Sequence, residues 1–396
     1  MALGSTALRQ LFWFKVQNGA LPSLHDLFPG VRQAHPPVEG GPWGSTSSPT
    51  GRRWSLSAQQ PKGGLFKVYM LNSPTSPYFA AMEPIIAPIS RELLLQELTP
   101  ERFLRRTNKG NNLLYLVNHH NSPYLMQEIG RLRELTFRAA GGGTGEAVDI
   151  DSNDTSEDCY DQLILWDPAE QQLVAGYRLI ECSHAHTDAH GHVNLSTAHL
   201  FTFSEQFKRD YLPFTIELGR SFVQPDYQPK AGSSKGLFSL DNLWDGLGAL
   251  IVTRPHIKYL FGKVTMYPHF ERSARDFILY FMNHYFPDPE ALVQSHADLK
   301  LGYVGDVAPF AALLADLPYK EGHKVLNGYV REKGENIPPL INTYMNLSSS
   351  MKTFGTALND EFGEVEETGI LVTIADIYEE KKSRHIDTYE RDKTLA

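Results

Sequence analysis

The densest run of metal-ligating side chains is Cys182-Ser-His184-Ala-His186-Thr-Asp188-Ala-His190-Gly-His192. Alternating imidazoles and a carboxylate just after a strand form a donor set that zinc accepts. A second constellation, Glu217-Leu218-Gly219-Arg220, sits inside the otherwise apolar run Phe214 to Pro225. Strand alternation puts Glu217 and Gly219 on one face and Leu218 and Arg220 on the other. A carboxylate in a buried strand is costly unless paired or working. Glycine beside it lets a ligand approach the backbone closely. The plainer alternative is an edge strand with an ordinary Glu–Arg pair. Third, the loop Gln228 to Gly236 (QPKAGSSKG) leads into a helix containing Gly246-Leu-Gly248-Ala249. Such a connection can present backbone N–H groups to an anion at a helix N-terminus.

The surrounding pattern predicts the elements that must hold these residues. Ser122-Pro123 open a helix with Leu125, Ile129 and Leu132 on one face, and Gly141-Gly142-Gly143 stop it. Glu146 to Asp161 reads as an acidic stretch too polar for a core. Leu163 to Trp166 and Leu173 to Ile180 form a hairpin across Asp167-Pro168. Phe214 to Pro225 is a strand, and Asp241 caps a helix with Leu243, Leu247, Leu250 and Ile251 inward. Ile257 to Met266 is a strand, and Ser273 to Phe286 a helix burying Phe277, Ile278 and Phe281. Ile337-Pro338-Pro339 is a break, Gly369 to Ile377 a late strand, and 378–396 a charged, solvated tail. The order describes one α/β domain over 82–377, with its core at about 113–290.

Composition bounds what this domain can be. The 396 residues are 41% hydrophobic and 21% charged, as in a globular protein. No apolar run approaches the about 18 residues of a membrane span. Two cysteines, Cys159 and Cys182, exclude a disulfide framework and fit a reducing compartment. A net charge of −9 argues against nucleic acid as a partner. Residues 1–81 nevertheless carry seven Lys/Arg against two acids. Gly30 to Gly64 is rich in Gly, Pro, Ser and Thr, so 1–81 reads as a low-complexity, disordered extension, with Met82 as the natural start.

Together the pieces resemble the GCN5-related N-acetyltransferase (GNAT) superfamily. The nearer likeness is to its long-chain branch of ornithine-lipid N-acyltransferases, N-acyl-amino-acid synthases and, more distantly, acyl-homoserine-lactone synthases. Some of these relatives carry the label haemolysin-like. The matching stretches are Leu132-Arg133 to Phe137, Tyr160-Asp161, Val174 to Leu179 with Arg178, Glu217 to Arg220 with Phe222-Val223, and Gly262-Lys-Val-Thr. They keep their order over roughly 113–290.

The resemblance implies an α/β (α+β) fold with a central mixed sheet, splayed fourth and fifth strands, and flanking helices. It implies backbone groups of Phe222 and Val223 on the donor thioester, Glu217 as positioner or general base, and Arg220 holding it or a substrate carboxylate. Tyr280 would protonate the leaving thiolate. Arg133, Asp161 and Arg178 would order the pocket, with Arg178 pairing with an acid such as Asp161. Gly246, Gly248 and Lys235 would meet the donor. The acetyl-CoA branch cradles pyrophosphate with [QR]-x-x-G-x-[GA], but here Leu243 stands in the first place. That departure suits an acyl carrier protein, steered by a basic rim of Lys230, Lys235, Arg254, Lys258 and Lys263. Acyl-CoA is the other co-substrate, and no cofactor is tightly bound.

The expected protein is a bacterial, cytoplasmic N-acyltransferase, with peripheral contact to the inner membrane as an option, that acylates an amino acid such as ornithine or glycine. Alternatives are an acyl-homoserine-lactone synthase, an acetyl-CoA-dependent GNAT and a non-catalytic lipid- or partner-binding protein. A zinc hydrolase using His184, His186 and His190 resembles metallo-β-lactamase-like enzymes, but Ala189 separates Asp188 from His190 where that signature has them adjacent. An exposed His-rich hairpin loop is expected there, with no metal.

Overall fold

The computed structural model describes residues 82–228, 236 and 238–389. Helix α1 (Arg91–Glu97) precedes strands β1 (Phe103–Arg106) and β2 (Leu113–Val117), helix α2 (Pro123–Ala140) and the single turn α3 (Ser152–Thr155). Then come β3 (Asp161–Asp167), β4 (Gln172–Glu181), β5 (Phe201–Phe203) and β6 (Thr215–Val223). Helix α4 (Ser239–Thr253), strand β7 (Tyr259–Met266), helix α5 (Arg272–Tyr285) and the short strands β8 (Val293–Ser295) and β9 (Lys300–Leu301) follow. The chain closes with α6 (Ala308–Leu314), α7 (Tyr319–Glu332), α8 (Pro339–Met345), β10 (Lys352–Asn359), β11 (Val365–Thr373) and α9 (Glu379–His385).

Nine strands form one sheet in the order β1-β2-β3-β4-β6-β7-β11-β10-β9. Its neighbours are antiparallel except β6 and β7, which run parallel and are joined through α4. This is a central mixed sheet flanked by helices, the α/β arrangement that the resemblance implies. Leu243, Leu247 and Leu250 of α4 and Phe277, Ile278 and Phe281 of α5 pack into the largest core cluster, as the periodicity predicts. Leu125, Ile129 and Leu132 of α2 build a second.

Local details differ instructively from the sequence reading. Ser122 precedes α2 and Pro123 opens it, but the Ser122 side chain does not cap it. The Glu97 carboxylate does so from a distance, accepting the N–H groups of Tyr124 (3.1 Å) and Leu125 (2.7 Å). Gly141 ends the helix at φ 93°. Asp241 does not cap α4, which begins two residues earlier. Its carboxylate instead holds Arg384.

That contact belongs to a larger correction. The segment expected as a solvated tail folds back through 389, and α9 lies against α4. His385 is buried with Nδ1 2.7 Å from Asp245, so Arg384 and His385 find fixed partners on α4, while Glu379 and Glu380 stay exposed. The two helices meet at Gly248, where a Cβ would overlap the His385 carbonyl. Gly248→Ala must push backbone from backbone and is expected to cost about 1–3 kcal/mol. Urea unfolding checks this; an unchanged midpoint would refute the close contact.

Candidate active site

The parallel pairing of β6 and β7 covers only Thr215–Leu218 against Tyr259–Gly262. The strands approach so closely at its end that a Cβ on Gly262 would lie 2.5 Å from the Leu218 carbonyl oxygen. Beyond that point they separate. A bulge drives the divergence: Arg220 adopts φ 47°, and the β4–β6 register shifts between Gly176 and Arg178. The gap between the splayed strands is a cleft of about 260 Å³, walled by apolar side chains such as Leu260, Phe261 and Leu340. Arg220, Lys263 and Glu367 bring charge to it.

The bulge also overturns the simple alternation argument for Arg220. Instead of pointing with Leu218, its Nε lies 3.0 Å from Asp149 and its Nη2 3.9 Å from Asp151. Its guanidinium lies 4.2 Å from the Phe362 ring centre. Arg178 donates to Asp151 (2.7 Å) and Asp154 (3.2 Å) and not to Asp161. Arg133 meets the same Asp154 at 3.1 Å and Gln162 at 2.5 Å. The acidic stretch read as too polar for a core therefore enters it, with Asp149 and Asp154 fully buried. Three arginines from α2, β4 and β6 make this possible by neutralising the carboxylates. Burial still pushes the Asp149 carboxyl above its ordinary range despite Arg220 and Arg133.

Glu217 is closed off from the cleft. It has no exposed surface, and it accepts from Tyr160 Oη, from Ser196 N–H (3.2 Å) and Oγ (3.2 Å), and from Thr197 N–H (3.0 Å). Its two oxygens thus fix the turn before β5, and burial together with the Glu217 charge pushes the Tyr160 phenol well up. Glu217 is buried among its donors and does not line the cleft.

Phe222 and Val223 do line the cleft. They pair with Gly176 and Ala175 of β4. The Gln224 N–H donates to Val174 at 3.0 Å, so alternation turns the Val223 N–H toward the cleft and the Phe222 N–H toward β4.

Other expected site residues lie elsewhere. Tyr280 lies outside the cleft: its ring stacks on His284 and packs toward Tyr303 and Phe310, because that face of α5 meets α6. Gly246 gives room to Leu163, and Gly248 to His385, so neither is free for a donor phosphate. Asp161 accepts from Asn118 (3.1 Å), and Arg254 is held by Glu181 (2.9 Å); both border a separate polar cavity. Lys258 is exposed over the Phe214 ring, whereas Lys263 turns inward and pairs with Glu367. Lys230 and Lys235 lie outside the described residues. In the His184–His192 segment, Asp188 accepts the N–H groups of His190 and His192, which shapes an exposed turn. Among the described residues no group of three His, Cys, Asp or Glu is placed to hold a metal.

Glu367 was absent from the sequence reading, which began its last strand at Gly369. The signal was available: Val-Glu-Glu-Thr-Gly-Ile-Leu-Val puts a carboxylate in an apolar strand, as at Glu217. Burial works to raise Glu367, but the Lys263 ammonium, Arg220 and Asn359 bring its carboxyl below the ordinary range. Burial lowers Lys263 in turn.

The domain family described as "Acetyltransferase (GNAT) domain" matches residues 132–235, which contain β3, β4, the bulge and the start of the splay. A glycine N(alpha)-acyltransferase of Phocaeicola vulgatus is 51% identical over 315 residues, covering 80% of this chain and 96% of that protein. A glycine N(alpha)-acyltransferase of Bacteroides thetaiotaomicron is 53% identical over 308 residues, covering 78% and 91%. Among solved structures, FeeM, an N-acyl amino acid synthase from uncultured soil microbes, matches 69% of this chain and 94% of its own at 10% identity, with a TM-score of 0.34. With half of all residues shared along nearly the full length of both bacterial relatives, this chain belongs to their family and is a GNAT-type N-acyltransferase.

Proposed function

We propose that the enzyme transfers a fatty acyl group from the thioester of an acyl carrier protein to the amine of glycine. The observation that carries this is the apolar cleft between β6 and β7, which ends at paired charges of both signs. An acyl thioester and its chain suit the apolar walls, and a small zwitterion suits the charged end. The names of the two relatives support glycine over ornithine.

The chemistry is direct attack. The neutral amine adds to the thioester carbonyl, the C–N bond forms and the C–S bond breaks. A thioester and zwitterionic glycine give N-acylglycinate, a free thiol and one proton. The Val223 N–H, turned toward the cleft, is the donor this reading assigns to the developing oxyanion. Neither cysteine enters the reaction: Cys182 is buried, with burial holding its thiol well up, and Cys159 is likewise raised.

Carrier protein is favoured over CoA because the glycines of α4 are taken up by Leu163 and His385 rather than offered to a pyrophosphate. Exposed Lys258 remains for an acidic carrier surface. The product is an amphiphile, which fits an enzyme working in the cytoplasm in peripheral contact with the membrane. No helix among the described residues is long and apolar enough to cross one.

The test is free-thiol release by the full chain with long-chain acyl carrier protein or acyl-CoA and a panel of amino acids. Glycine-dependent release with the carrier donor is expected. Release with CoA alone overturns the donor, and preference for another amine overturns glycine. Release with no amine from either donor overturns the whole reading.

A further inference from the structure

Lys263 and Glu367 form an unusual feature of the cleft. Their side chains keep only 9% and 3% of their surface exposed, yet both line the space between the splayed strands. A buried ion pair contributes little to stability compared with apolar side chains of the same volume. Charges kept at the wall of a cavity are instead a mark of a working site. Glu367 also accepts from Thr265 Oγ1 (3.1 Å) and Asn359 Nδ2 (3.2 Å). The Asn359 Oδ1 is buried beside it with no hydrogen-bond partner among the described residues. Arg220, across the cleft, adds positive potential at both partners.

We infer that the Lys263–Glu367 pair is the clamp for the acceptor amino acid, opening to take its carboxylate on Lys263 and its ammonium on Glu367. This rests on the amino-acid acceptor reading above. One internal ion pair is exchanged for two, the net charge of the cleft stays the same, and no buried charge is left alone. Asn359 Oδ1 then has an ammonium proton within its neighbourhood. An amine without a carboxylate would strand Lys263, and a carboxylate without an amine would strand Glu367. The penalty for a stranded buried charge is the source of selectivity. For attack, one ammonium proton passes to Glu367 and on to solvent, and a second N–H proton leaves with the thiolate as the free thiol. The acylated product then carries no cation, so Glu367 returns to Lys263.

The experiment uses the full chain with acyl carrier protein thioester and compares glycine with glycinamide, which keeps the amine and loses the carboxylate. Wild type should favour glycine by at least about 30-fold in kcat/KM. Lys263→Met should lower kcat/KM for glycine by a similar factor, mainly through KM. It should raise glycinamide relative to glycine, because no buried ammonium is left to strand, so the preference between the two acceptors collapses. Glu367→Gln should weaken both acceptors. Equal use of glycine and glycinamide by wild type overturns the clamp without recourse to any variant. So does an equal loss on both acceptors in Lys263→Met. If wild type acylates another amino acid instead of glycine, and amidation of that acceptor's carboxylate costs the same factor, the clamp is upheld and glycine as substrate is overturned.

Discussion

Arg178→Met is expected to destabilise the protein by about 3–5 kcal/mol, the cost of leaving buried carboxylates without their cation. Arg178 is buried on β4 and is the shared partner of Asp151 and Asp154, which lie on the segment between α2 and β3. Arg133 holds Asp154 from the other side and Arg220 holds Asp149, so the segment is pinned to three elements at once. Methionine matches the volume but leaves buried Asp154 with Arg133 as its one remaining cation, beside the neutral donors Gln162 Nε2 (2.9 Å) and Asp151 N–H (3.2 Å). Guanidinium unfolding should show the loss, and a change under 1 kcal/mol would refute the argument.

The same variant has a pH signature. Burial alone would raise Asp151, but Arg178 and Arg220 hold its carboxyl far below the ordinary range. A depressed pKa contributes stability that is complete above the unfolded value of about 4 and is lost as pH falls toward the folded value. Wild type should therefore lose stability steadily below pH 4. Arg178→Met should lose less over that interval, because the contribution is already gone. Parallel pH-dependences in the two proteins would show that the pair does not set the acid limb.

Glu217→Ala is expected to cost at least about 3 kcal/mol, because each buried donor left without an acceptor costs about 1–3 kcal/mol. Three donors lose their partner, the Thr197 N–H and the Ser196 and Tyr160 hydroxyls, while the Ser196 N–H keeps Tyr160 Oη at 2.9 Å. The same turn leads to His199, which burial and the nearby Lys263 charge hold below its ordinary range. Disorder there reaches the cleft, so turnover should fall with stability. Glu217→Gln separates the two roles proposed for this residue. A general base predicts a stable protein with no turnover and a lost acidic limb in its pH–rate profile. A positioning residue predicts that stability and turnover fall together while that limb persists.

How far the sequence reached is clearest at particular residues. The helix at 123–140, the β3–β4 hairpin and the strand carrying Glu217 were legible because each follows a local period with local punctuation. The same local pattern put Phe222 and Val223 on the strand that borders the cleft. Lys263, placed on a basic rim, turned inward, since its face depends on which strand lies beside β7. That strand is β11, about 100 residues later, and it brings Glu367. The acidic stretch 146–161 was read as surface because its charge is visible in sequence and its three arginine partners are not adjacent to it.

The amino-acid sequence by itself determined the order of elements, the family likeness and the presence of an out-of-place carboxylate at Glu217, since all three are encoded in spacing and residue type. Only the tertiary structure decided what each charge does. A single left-handed residue, Arg220, changes which face its side chain occupies. The partner of a buried charge is chosen by packing between distant segments, and with it whether that charge closes a core, as at Arg178, or waits in a cleft, as at Lys263. Local periodicity carries no information about that choice, because the energy that settles it is the desolvation of groups that meet only in the folded chain.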